Sequence, residues 1–366
     1  MDLYNTLEKL CLATSVSGRE SKVRDVISEM ISPFVDSVSV DALGNLIALK
    51  KGNGERKIML CAHMDEIGFI VNFIEDSGMI RVGTLGGIRF AAASFTPVIS
   101  EKGVRGALCA NDDAKAEDYK ADVMYIDIGA SSKEEAEACV SIGDTFVCAP
   151  HLDRLLGERV CGRPIDDRVG CLVLLSLAGR LADSSLRDDI YFVFSVQEEV
   201  GLRGSKPATF AIEPDVALCF DVTSTGDTPN SKPMACSVGK GVAFKIKDNS
   251  VICHPRLVAE LCELAEKNSI PYQREVLTFG GTDTASMQLT GCGCVAGALS
   301  IATRYVHSGV ELCDMGDVKA CIELTEKYIT KYLAGCYGNI RKNLGSREGG
   351  RGGSCRALPQ NRRDIL

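Results

Sequence analysis

The sequence predicts an α/β protein on a mainly parallel sheet with helices on both faces, into which a β-rich module is inserted. Strand-like and helix-like stretches alternate at both ends of the chain, the pattern of parallel sheets whose crossovers are helices. Between about Gly68 and Arg163 the rhythm changes to short β-like runs parted by glycine and polar turns. At 366 residues there is chain enough for about two domains.

Taken in order, "RKIMLCAH" (56–63) is an unbroken apolar run of strand length, as expected for a strand covered on both faces. "DDRVGCLVLLSLAGRLAD" (166–183) is too long for a strand and reads as a buried helix, with "DDIYFVFSV" (188–196) and "DVALCFDV" (215–222) as the next strands. "HPRLVAELCELAEKNS" (254–269) has helical apolar spacing and Pro255 in its first turn, where a missing N–H is harmless. "GCVAGALSI" (293–301) reads as a strand and "DMGDVKACIELTEKYITKYL" (314–333) as a closing helix. The middle supplies "FIVNFI", "MIRVGTL", "FTPVIS", "ADVMYIDIG" and "DTFVCAP", interrupted by one helical segment, "SSKEEAEACV". The division expected is an α/β domain from residues 1–67 and 161–340, an inserted module at 68–160 whose ends lie close together, and a tail at 341–366.

Composition narrows the function classes. Apolar residues at 45% and charged residues at 25% are ordinary for a globular protein, which excludes a fibrous or disordered chain. The tail "RKNLGSREGGRGGSCRALPQNRRDIL" holds seven Lys/Arg against two Asp/Glu and reads as a flexible basic Gly/Arg-rich extension. The whole chain carries a net −8, so without the basic tail the body is more acidic still, at −13, which argues against nucleic acid as the main ligand. No apolar run approaches the roughly 20 residues of a membrane helix and no signal peptide opens the chain, so a cytoplasmic location and no membrane partner are expected. The 17 cysteines lie largely in apolar runs and are read as small core residues, the Cys292/Cys294 pair included.

In open α/β sheets, ligands gather beyond the carboxyl ends of the strands. His63 and Asp65 follow the first buried strand, Glu198 and Glu199 the second, and Asp221 ends the third. Asp166 and Asp167 open the buried helix, and His307 stands just past another strand. Imidazole and carboxylate without cysteine suit Zn²⁺, Co²⁺ or Mn²⁺ rather than a thiolate structural site. So much negative charge calls for two divalent ions per subunit, which in such pairs lie about 3.5–4 Å apart and activate water for attack on a carbonyl or phosphoryl centre.

Ordinary roles compete at each position. Asp166 and Asp167 could cap the helix, Asp221 could be a turn residue, and His151 is read as structural. In the extended H-x-D of "AHMDE", Asp65 can accept the ring N–H of His63. In an extended segment Glu198 and Glu199 point apart, so one ligates and the other, its pKa raised by burial, serves as general base.

The segments "AHMDEIGF", "PIDDRVGCLVLL", "VFSVQEEVGLRGS", "FDVT", "DNSVICHP", "GGTDTAS" and "ATRYVHS" resemble the M42 metallo-aminopeptidases, the tetrahedral or TET aminopeptidases, in order and spacing over residues 1 to about 336. The resemblance implies Asp166 as bridging ligand, His63 and Asp221 completing one metal, Glu199 and His307 the other, Glu198 as base and Asp65 as the residue orienting His63. It places Asp283 of "GGTD" and Arg304 in the substrate pocket and assigns nothing to His254. It further implies a zinc-peptidase α/β domain, a PDZ-like insert that makes dimer contacts, and assembly to a dimer or dodecamer. Here "GGIRFAAASFTPVIS" replaces the family's Pro-Gly-Gln-like turn, a departure that bears on assembly and gating. The function expected is removal of N-terminal residues from short peptides with a free N-terminus. A related two-metal deacylase or carboxypeptidase, and a non-catalytic scaffold, are the rival readings.

Overall fold

The computed structural model describes residues 1–54 and 56–332, so the tail expected at 341–366 and the end of the segment expected to reach 340 lie outside the described residues. The large sheet has eight strands: β1 (Ser37–Val40), β2 (Leu46–Lys50), β3 (Lys57–His63), β4 (Asp189–Ser195), β5 (Val216–Thr223), β6 (Val242–Lys247), β7 (Tyr272–Val276) and β8 (Val295–Ala302). Their order across the sheet is β1-β2-β4-β3-β5-β8-β6-β7. The centre, β4-β3-β5-β8, is parallel, as is the outer pair β6-β7. The sheet is more mixed than expected, because β1-β2, β2-β4 and β8-β6 are antiparallel. The first two strands form a hairpin, which needs only a short turn, whereas parallel neighbours need a long crossover.

Side chains alternate between the two faces along each central strand. Ile58, Leu60, Phe192, Phe194, Leu218, Phe220, Leu299 and Ile301 belong to the larger core. That face is covered by α1 (Leu3–Leu12), α2 (Ser21–Ile31), α3 (Arg168–Leu181), α5 (Pro255–Lys267) and α7 (Met315–Lys327). The intervening Met59, Cys61, Val193, Ala217, Cys219, Ala296 and Ala298 are mostly smaller and meet the short helices α4 (Ser205–Ile212) and α6 (Thr284–Gln288). Helix α3 is buried along nearly its whole length, and each of its leucines contributes on the order of 1.5–3 kcal/mol by leaving water. Asp167 caps it by accepting the N–H of Gly170 at 3.0 Å.

Between β3 and α3 the chain closes a six-stranded antiparallel barrel from Gly68–Ile74, Ile80–Leu85, Pro97–Ser100, Arg105–Ala110, Met124–Asp127 and Thr145–Cys148. It has its own core around Phe69, Leu108, Ile126 and Phe146. The strand Arg105–Ala110 was not expected, since "RGALCA" has little alternation; its pairing comes from neighbours on both sides. A β-carbon on Gly106 would lie 2.6 Å from the Asp127 carbonyl, so a glycine lets those strands meet. A third, three-stranded sheet pairs Arg159–Arg163 with His151–Arg154 and with Glu311–Asp314. Among the described residues no helix is long and apolar enough to cross a membrane.

Candidate metal centre

The parallel centre of the sheet delivers its strand ends to one edge. His63 is the last residue of β3 and pairs in register with Ser195, so the Glu198–Glu199 turn leaves β4 directly beside it. Asp221 lies near the end of β5, and the loop after β8 carries His307. Asp166 enters from the side, just before α3.

Asp166 stands between the two histidines. Its Oδ1 lies 3.1 Å from His63 Nε2 and its Oδ2 3.4 Å from His307 Nε2. Asp221 Oδ1 is 3.8 Å from His63 Nε2, and Glu199 Oε2 is 3.2 Å from His307 Nε2. Each imidazole donates its Nδ1–H to a backbone carbonyl: His63 to Asp65 at 3.0 Å and His307 to Gly87 at 2.8 Å. A carbonyl can only accept, so both rings turn Nε2 toward the carboxylates as a metal ligand must. Gly87 belongs to a barrel loop, which the neighbouring Gly86 lets approach closely; at φ +83° a β-carbon there would lie 2.5 Å from Ile67 Cγ2 and 3.2 Å from Glu199 Cβ.

A buried frame holds this geometry. Glu311 accepts the N–H groups of Ile165 at 2.6 Å, Asp166 at 3.0 Å and His307 at 3.2 Å. Arg163, 1% exposed, pairs with it at 3.4 Å and donates to the Ser308 carbonyl at 2.6 Å. Glu311 thus ties both halves of the site together, and no spacing in the sequence marks it.

Charge in the cluster is unbalanced. Burial and nearby carboxylates push Glu198, Asp221 and Asp167 well above the usual carboxylate range, although His63 opposes this. Glu199 is raised for similar reasons, burial first and Asp166 next. Burial acts to lower His307, yet Asp166 and Glu199 outweigh it and bring the imidazole up to about 11. His63 is likewise raised against burial by Asp166 and Asp65, whereas Asp166 itself is held well below its usual value by the two histidines, against burial. A field that draws protons this strongly also draws divalent cations, and the oxygen and imidazole donors match Zn²⁺, Co²⁺ or Mn²⁺. Two groups bring ligand atoms within 4.8 Å of one another: His63, Asp166 and Glu199, and His63, Asp167 and Asp221. In the second group Asp167 is already engaged, one oxygen accepting from Gly170 N and the other from His63 N at 3.2 Å.

Residues 44–324, which include β2 to β8 of the sheet, the barrel and every residue of this cluster, match the family model of M42 glutamyl aminopeptidases. The chain belongs to this family. It is an aminopeptidase, a peptide hydrolase. A protein of Acetivibrio thermocellus provisionally named an aminopeptidase is 46% identical over 326 residues, covering 88% of this chain and 97% of the relative. An aminopeptidase from the archaeon Desulfurococcus kamchatkensis is similar in structure with a TM-score of 0.86 and 35% identity, over 90% of this chain and 94% of that one. The TET1 peptidase of Pyrococcus horikoshii, described as able to assemble into a tetrahedron or a large octahedral shell, matches at TM-score 0.78 and 34% identity over 90% and 100% of the two chains.

In this M42 aminopeptidase the centre opens into a cavity of about 950 Å³. Its walls include Arg89, from the divergent "GGIRFAAASFTPVIS" stretch, and Lys232, Met234, Leu277 and Phe279, which no motif singled out. Four expectations need correction. Glu198 and Glu199 are not in an extended segment: β4 ends at Ser195, Gln197 has φ 55°, and both glutamates reach the cavity from a turn. The Asp65 carboxylate is 3.5 Å from His63 Nδ1, farther than its own backbone carbonyl, and is occupied by Ser17 Oγ at 2.7 Å and by the N–H groups of Glu198 and Glu199. Asp283 is buried outside the cavity, accepting from Ser195 Oγ and Ser205 Oγ, both at 2.5 Å. Arg304 also lies outside the cavity walls, because Asp227 holds its guanidinium at 3.0 and 2.7 Å. His151 Nδ1 faces the Ala149 carbonyl away from the centre, and His254 precedes α5, its Nδ1 buried without a hydrogen-bond partner among the described residues.

Proposed function

We propose that this aminopeptidase removes N-terminal residues from short peptides at a centre of two divalent ions, with Glu198 moving the proton. The observation that carries the reading is the placement of Asp166 between two histidines, each flanked by a further carboxylate. His63 and Asp221 would hold one ion, His307 and Glu199 the other, with Asp166 shared. When bound, the ions would polarise the scissile carbonyl and lower the pKa of water.

The protein's own groups supply the rest. Glu198 lines the cavity at 7% exposure, and its raised pKa suits a carboxylate that takes a proton from water and returns it to the leaving amine. Glu199, the next residue on the same turn, faces His307 instead, so the pair divides into base and ligand. A substrate's free α-amine would meet the second ion, which is the basis for expecting a requirement for an unblocked N-terminus.

The barrel is read as the PDZ-like module that makes contacts between copies, and the assembly described for the Pyrococcus horikoshii relative supports self-association here, read as a dimer or dodecamer. Native mass spectrometry distinguishes the two. For the chemistry, E198Q should keep its metal content and lose most turnover on aminoacyl-p-nitroanilides, whereas a fully active variant would remove Glu198 from its role. N-acetylated peptides should resist cleavage; equal cleavage of blocked and free peptides would favour the deacylase reading.

A further inference from the structure

Four consecutive backbone N–H groups leave β4, and each is taken by a side chain. Val196 donates to Asn45 Oδ1 at 3.0 Å, Gln197 to Glu20 Oε1 at 3.1 Å, Glu198 to Asp65 Oδ1 at 3.0 Å and Glu199 to Asp65 Oδ2 at 3.2 Å. The Asp65 anchor follows from the site already described. Glu20 does not, since it lies in the link between α1 and α2, far from every motif.

That link is fastened to the segment after β3. Ser15 Oγ donates to the Met64 carbonyl at 2.6 Å, Ser17 N to the Glu66 carbonyl at 3.3 Å, and Ser17 Oγ to Asp65. Arg168, fully buried, donates to Ser15 Oγ and to the Leu10, Ala13 and Met64 carbonyls. Glu20 therefore meets Gln197 from a fixed platform.

Two features separate Glu20 from an ordinary helix-end acid. It occupies the N-cap position of α2 but makes no side-chain cap there. Instead its carboxylate, on a residue 5% exposed, accepts from Gly18 N at 2.7 Å and from Gln197 N. At Gln197 the chain adopts φ 55°, left-handed backbone that is unfavourable for a residue bearing a β-carbon and persists where the surroundings enforce it. Without that reversal the chain would continue as a strand and send the two glutamates to opposite faces.

We propose that Glu20 is a positioning residue of this aminopeptidase: by accepting the Gln197 N–H it holds the left-handed turn that brings both Glu198 and Glu199 into the cavity. The part of this inference that concerns Glu198 rests on its reading as the base, while the part that concerns Glu199 does not.

The test compares E20A, E20Q, E198Q and the double variant E20A/E198Q as full-length, metal-loaded enzymes. E20A should lower kcat by about 10- to 100-fold with KM within about threefold, and should lose metal several-fold more readily on dialysis because Glu199 rides on the same turn. E20Q keeps an oxygen acceptor and should retain both properties. In the E198Q background E20A should cost no further kcat, since the group it places is gone, yet should still weaken metal retention. Equal losses of kcat in both backgrounds, wild-type behaviour of E20A, or impairment of E20Q to the level of E20A would each overturn the inference. E198Q alone reads the base assignment: if it turns over normally that assignment fails, and metal retention in E20A still reports on Glu20. Because E20A could lower the melting temperature, E20A/Q197G serves as a second variant. Glycine takes positive φ readily, so it should recover kcat, and a folded double variant without recovery counts against the proposal.

Discussion

The carboxylate of Asp65 accepts the backbone N–H of Glu198 at 3.0 Å, while its other oxygen accepts that of Glu199 at 3.2 Å. One buried anion thus fixes two successive residues of a turn. D65N leaves a single oxygen and directs an NH₂ group at the other amide, so kcat should fall by about 100-fold. His63 should stay oriented, because its Nδ1–H is bound by the backbone carbonyl of residue 65. Steady-state kinetics with metal analysis checks this; unchanged turnover per loaded site with lost metal would show that Asp65 acts through His63 instead.

Chelation should abolish hydrolysis, and Zn²⁺ or Co²⁺ should restore it, since Asp166, Glu199 and Asp221 crowd together with His63 and His307. The ions should also stabilise the fold. At free metal about 100 times Kd, mass action adds about 2.7 kcal/mol, visible by calorimetry as a higher Tm. A metal-free protein with undiminished activity would remove the ions from the reaction.

Arg304 binds Asp227 through two hydrogen bonds and outweighs the effect of burial, lowering the carboxyl to about 2. The folded pKa is depressed below the ordinary 3.8, so the stabilisation is full above about pH 4 and is lost as pH falls toward 2. R304A should cost about 1 kcal/mol at neutral pH in urea unfolding, and the difference from wild type should shrink below pH 4. Its KM should stay within about threefold, because Arg304 does not line the cavity; a tenfold rise would return Arg304 to the substrate pocket.

Outside the metal cluster the cavity walls carry the cations Arg89 and Lys232 and, among the described residues, no carboxylate. Substrates with an acidic group close to the scissile bond should therefore lose about five- to tenfold in kcat/KM in R89A or K232A, more at low ionic strength. Leucyl substrates should change less than threefold. A uniform change across glutamyl, leucyl and lysyl p-nitroanilides would mean that these side chains do not select.

The central strands were legible because a strand covered on both faces is written as an unbroken apolar run. "RKIMLCAH", "DDIYFVFSV", "DVALCFDV" and "GCVAGALSI" correspond to β3, β4, β5 and β8 within two residues at each end. Their termini brought His63, Asp221 and, just beyond, Glu198, Glu199 and His307 to one edge. The hairpin β1-β2 was not legible, because "SVSV" is short and largely exposed.

Chemistry and chain order, then, determined which residue types gather at the strand ends, and the residues implied as ligands do stand within 4 Å of a neighbour in the set. Which way a charged side chain faces was decided only by tertiary structure. Asp283 and Arg304 are spent on buried and half-buried partners, while Glu311 reaches the Asp166 amide across 145 residues and Glu20 the Gln197 amide across 177. A local pattern records the period of a helix or strand; a single hydrogen bond closed across the fold leaves no period to read.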